Sequence, residues 1–275
     1  MNKRQFAQTA KGPTAELVFV IGARNEFHSA AYREKPTLAQ LMDSEQHGNL
    51  IVSANEMNAL ISNILVKLKV PSLDLDRLSP LLGRETVSLG DLLHETFRNT
   101  AEHAYLDLDD RIPKEGLRCI LIAIRNMQPG QIQANAIVSA EHQHLSRYVR
   151  RLSRRASVAR RSLVCLFELS VFDTGPGFAG TMELQSDASD IDRVAHCFRD
   201  YVSKKPGPNS GLGLGRVLKS VHSLDGYLRV RTSTAEVFFS AATPMPSDTG
   251  PVPSVVGGLP KVVGTAITIG IPLEL

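Results

Sequence analysis

Between residues 91 and 105, DLLHETFRNTAEHAY, the apolar positions recur at helical spacing, with Leu93, Phe97, Ala101 and Ala104 on one face. Glu95, Asn99 and Glu102 fall on the opposite side and His103 lies at its edge. Ser88 stands ahead as an N-cap, and Asp91 suits the positive end of the helix dipole. A second helical pattern covers 138–161, where Leu145, Val149, Leu152, Ala156 and Ala159 share one side. Further helices are expected over 38–48, 54–69, 191–202 and 213–224. Runs rich in β-branched and large apolar residues predict strands at 16–22, 116–126, 163–172, 226–232, 236–240 and 262–271.

Residues 71–87 read as a connector containing Pro80 and Gly83, and 241–261 as a loop excursion rich in Pro, Gly and Ser. The order of the elements predicts an α+β two-layer sandwich, a mixed, mostly antiparallel sheet covered by helices on one face. Residues 86–275 would form that domain, with 1–85 as an N-terminal, mainly helical extension.

At 275 residues and 43% hydrophobic, the chain can bury one large core, and no apolar run approaches the length that crosses a bilayer. The net charge of +3 does not by itself indicate a nucleic-acid or membrane partner. Its basic residues are unevenly placed, however: seven arginines lie between Arg147 and Arg161. Such a helix can dock on nucleic acid, an acidic protein or a membrane surface, but the charged outer face of an ordinary helix is the commoner case, and Tyr148 is the one aromatic among its arginines. Cys119, Cys165 and Cys197 are far apart and form no CxxC, so they read as reduced packing residues of a cytoplasmic protein.

Two glycine motifs carry candidate chemistry. Asp173-Thr-Gly-Pro-Gly177 follows a strand directly. Its glycines allow a flat ligand close to the backbone, and its carboxylate, which repels phosphate, suits the amino edge of a base. Gly211-Leu212-Gly213-Leu214-Gly215 opens a helix, where free backbone N–H groups attract phosphate. It matches neither GxGxxG after a strand nor GxxxxGK[ST].

In this order the motifs resemble those of the GHKL superfamily (Bergerat fold), which includes type II topoisomerase ATPase domains and histidine-kinase catalytic domains. ETFRNTAEH is similar to the family's N-box, VFDTGPGF to its G1 box and SGLGLGRVLKSVHSLDGYLRV to its G2 box with the following helix and strand. The closing VGTAITIGIPL resembles its final GT strand, so the resemblance spans about residues 86–272.

It implies ATP and Mg2+ as cofactors, with Asp173 holding the adenine amino group, helped by a water shared with Thr265, and with Gly175 and Gly177 lining the base pocket. It implies Asn99 as the Mg2+ ligand and Glu95 as the general base. Gly211, Leu212, Gly213, Leu214 and Gly215 would form the lid over the phosphates, reached also by Lys204 or Lys205, and His103 matches a position often polar in the family. One departure is that residues 54–69 contain no histidine to serve as a phosphoacceptor. The expected activity is therefore Mg2+-dependent ATP hydrolysis driving a switch on a protein partner, with homodimerisation open. Phosphotransfer to a partner chain and non-catalytic ATP-dependent binding are the alternatives.

Overall fold

The computed structural model describes residues 14–22, 27–30, 42–43, 50–51, 57–59, 61, 89–103, 117–127, 143–159, 164–181, 188–198, 213–242 and 253–273. The strands are β1 (Thr14–Gly22), β2 (Phe27–Ala30), β3 (Met42–Asp43), β4 (Leu50–Ile51), β5 (Leu117–Met127), β6 (Val164–Asp173), β7 (Tyr227–Ser233), β8 (Ala235–Ser240), β9 (Ser254–Val256) and β10 (Val262–Pro272). The helices are α1 (Leu89–His103), α2 (Gln143–Val158), α3 (Gly177–Thr181), α4 (Asp190–Cys197) and α5 (Gly213–Ser223).

The chain forms an α+β sandwich on one eight-stranded sheet of order β2-β1-β5-β6-β10-β7-β8-β9. Every pairing in it is antiparallel. Because side chains alternate across a sheet, residues opposite one another share a face. On one face the register stacks apolar rows: Ile120, Val171, Ile267, Val230 and Val237, then Ile122, Leu169, Ile269, Leu228 and Phe239. Leu93 and Phe97 of α1, Phe178 and Ala179 of α3, Val194 of α4, and Val217, Leu218 and Val221 of α5 close over these rows as one buried core.

The other face is more polar, which lets a single amphipathic helix cover part of it. There α2 lays Tyr148 and Leu152 against Leu166, Tyr227 and Phe238. The Tyr148 and Tyr227 rings meet edge to face with centroids 5.2 Å apart. Tyr227 in turn lies flat over Gly270, where a Cβ would fall 2.0 Å from its ring. The helices are therefore not confined to one face. The reason is legible in β6, where Leu166 on one side and Phe167, Leu169 and Val171 on the other are all buried.

Three further expectations change. The N-terminal region is not mainly helical among its described residues, because β1 pairs with β5 over nine residues and β2 extends the sheet beyond it. Met42–Asp43 pairs with Leu50–Ile51, where a helix over 38–48 is predicted from the sequence. Part of the 241–261 excursion is also ordered: the β-branched run Ser254–Val256 pairs with β8 as an edge strand. Of the helix expected over 54–69, residues 57–59 and 61 are helical and the remainder lies outside the described residues.

Candidate functional site

The apolar rows end in a polar one. Arg118, Asp173, Thr265 and Thr232 stand opposite one another across β5, β6, β10 and β7, on the face that carries the core. Asp173 is the last residue of β6, so the chain turns away at its carboxylate. The backbone N–H groups of Gly175 and Thr265 both donate to Asp173 Oδ1, at 3.0 and 3.2 Å. Oδ2 receives no hydrogen bond among the described residues and keeps its capacity to accept one. Burial pushes the Asp173 carboxyl up to about 6, against the two backbone hydrogen bonds and the charge of Arg118, which pull it down.

The turn after Asp173 is seated by Thr232. The Phe178 N–H donates to Thr232 Oγ1 at 3.1 Å, and that hydroxyl donates to the Gly264 carbonyl at 3.2 Å. Thr265 Oγ1 lies 3.4 Å from it. Gly177 has φ +72°, and a Cβ there would fall 2.6 Å from Thr232 Oγ1, so the turn requires glycine at this point. Gly175 is buried beside it.

Gly264 meets the same demand from the opposite strand. Its φ is +77°, and a Cβ would approach the Asp173 carbonyl oxygen to 1.9 Å. It lies in the irregularity between Val262 and Thr265 where β10 departs from its register with β7.

Arg118 links this row to α1. Its guanidinium lies over the Phe97 ring, 5.4 Å from the centroid, in a cation–π arrangement. Phe97 sits between Glu95 and Asn99 in sequence and is fully buried, which fixes the rotation of α1 about its axis. Both polar residues are half-buried. The helix is also anchored at its start, where the Gly90 N–H donates to Asn58 Oδ1 at 2.8 Å. Ser88, the residue expected to cap this helix, lies outside the described residues.

The polar side of α1 faces the first turn of α5. A Cβ on Gly213 would lie 3.1 Å from Glu95 Oε2 and 3.8 Å from Asn99 Oδ1, so glycine brings the two helices close here. Arg216 Nη1 is 3.8 Å from Glu95 Oε1, at the outer limit of an ion pair. Asn99 Nδ2 is buried and has no hydrogen-bond partner among the described residues. An orphaned amide beside a glycine-opened helix N-terminus fits a polar ligand that would pair with it. Leu214 packs against the core and Gly215 is buried.

The structure thus joins Glu95 and Asn99 to Gly213, and Asp173 to Gly175, Gly177 and Thr265. His103 is the last residue of α1, and its side chain lies outside the described residues, as do Lys204, Lys205, Gly211 and Leu212. Arg118 and Thr232 stand in the same row but are not singled out by the sequence reading, and Gly264 enters it only as the glycine of the GT strand. An arginine at the head of an apolar strand and a threonine in RTS are ordinary strand residues until register aligns them with Asp173. No group of three or more His, Cys, Asp or Glu suited to a metal occurs among the described residues. Among them also, no helix is long and apolar enough to cross a membrane.

No protein-family model, curated protein or solved structure matches the chain.

Proposed function

We propose that this chain is an ATP-binding domain of the GHKL type, which hydrolyses ATP with Mg2+ and uses the state of its glycine-rich segment to change contacts with a protein partner. The observation that carries this reading is the half-committed carboxylate of Asp173. Two backbone N–H groups hold one of its oxygens, and the other is left to accept from a ligand. An adenine amino group supplies the donor that this acceptor requires. Gly175 and Gly177 let the base lie against the turn.

The N-terminus of α5 supports the phosphate end of the same ligand, through backbone N–H groups and the helix dipole. Asn99 is the residue that would hold Mg2+ through its amide oxygen, in a shell completed by water and phosphate oxygens, and the ion would neutralise charge developing on the phosphates. Glu95 would orient the attacking water and take its proton as the P–O bond to the leaving nucleotide breaks. Arg216 restrains the Glu95 carboxylate from the facing helix. Two free, half-buried cysteines, Cys119 and Cys197, accord with a reducing cytoplasmic setting.

Nucleotide binding and phosphate release by the purified chain with Mg2+ test the reading. Glu95→Gln is expected to retain ATP binding while turnover falls about 100-fold or more. Absence of ATP binding by the wild-type chain overturns the proposal. Full turnover in Glu95→Gln overturns the role of Glu95, and radiolabel appearing on a partner chain instead of in free phosphate makes the protein a kinase.

A further inference from the structure

We propose that the outer face of α2 docks on the phosphate backbone of duplex nucleic acid, without reading its sequence. This surface lies on the opposite side of the sheet from Asp173 and does not depend on the nucleotide reading.

The helix QHLSRYVRRLSRRASV contains five arginines and no acidic residue. Two of the five are engaged: Arg151 Nη2 bonds Asp225 Oδ1 at 2.8 Å, and Arg155 pairs with the other oxygen of the same carboxylate. Tyr148 adds a hydrogen bond from its hydroxyl to the Asp225 carbonyl at 2.9 Å. These contacts hold α2 against the sheet and present its far side in a fixed orientation.

On that far side Arg147, Arg150 and Arg154 are exposed, and none has a hydrogen bond or ion pair among the described residues. Like charges three and four residues apart destabilise a helix, and nothing on the helix offsets them. A bound polyanion would. Arginine also matches phosphate better than lysine does, because its planar fork donates two parallel hydrogen bonds.

One feature argues against a protein partner, and a second argues against a single strand. Among the described residues the patch has no Trp or Tyr anchor of the kind enriched with arginine at protein hot spots, its single large exposed apolar side chain being Val158 at one end. Both ring-bearing residues of the helix are also turned inward: Tyr148 is buried, and His144 stacks on Phe238 at 5.6 Å. With no ring available to stack on unpaired bases, a duplex is favoured over a single strand.

Binding of the full chain to a short, mixed-sequence, fluorescein-labelled DNA duplex, followed by anisotropy across a salt series, tests the proposal. The triple variant Arg147→Gln, Arg150→Gln, Arg154→Gln should bind at least about tenfold more weakly at low salt, and its log–log salt slope should be shallower by up to about 3. Its melting temperature should be no lower than the wild type's, since the three side chains make no hydrogen bond or ion pair among the described residues and their mutual repulsion is removed. The corresponding triple lysine variant should keep most of the slope. No duplex binding by the wild type, or binding unchanged in the glutamine variant, overturns the proposal. So does a preference for single strands, for polyglutamate or for vesicles of anionic lipid over the duplex.

Discussion

At Asp173 a buried carboxylate works against stability. A carboxyl raised from its ordinary 3.8 to about 6 holds its proton more tightly in the folded chain than in the unfolded one. Its ionisation therefore costs stability, from nothing below about pH 4 to a full ~3 kcal/mol above about pH 6. Asparagine keeps the acceptor for Gly175 and Thr265 without the charge. Asp173→Asn should accordingly raise the melting temperature at pH 8 but not at pH 4, and should abolish ATP binding, which calorimetry on the same samples checks. Gly264→Ala should do the opposite to the fold. Its Cβ would meet main chain, which cannot swing aside, and at a positive φ, so a loss above about 2 kcal/mol is expected in denaturant melts. The DTGPG turn was readable because glycines flank a carboxylate at a strand end. Arg118 and Thr232 were not, because their roles come from cross-strand register, which local pattern does not encode.

Among the elements, α1 was legible from its apolar spacing and the acid in its first turn, and α5 from the glycine run that opens it. The mutual approach of the two helices at Gly213 is tertiary and was inferred only through the family resemblance. The amphipathic pattern of α2 was equally plain, but the pattern says that one side is buried and not against what. That is decided by Tyr227 and Phe238, whose rings project from the sheet face opposite the main core. The same separation predicts modular stability. Asp225→Asn keeps a residue that tolerates the left-handed backbone (φ 53°) and removes the charge from two arginines that are about a third or more exposed, so the cost should be only about 1 kcal/mol. In hydrogen exchange, α2 should lose protection while β6 and β10 keep theirs, because the main core on the other face is untouched.

At the scale of the whole molecule, the sandwich architecture follows from alternating helices and strands, whereas the strand order does not. β1 finds β5 across about a hundred residues, and β10 finds a place between β6 and β7 rather than at an edge. Sequence proximity favours hairpins such as β7–β8 and gives no sign of such insertions. The central position of β10 has a consequence for assembly. A chain that ends before Val262 retains strands on both sides of a vacant slot, each with a bare hydrogen-bonding edge inviting association with other chains. The strand that fills the slot also delivers Gly264 and the Thr265 amide to Asp173. Joining the two halves of the sheet and bringing the Thr265 amide to Asp173 are one event, so partial unfolding at β10 undoes the proposed nucleotide site at the moment it exposes the chain to aggregation.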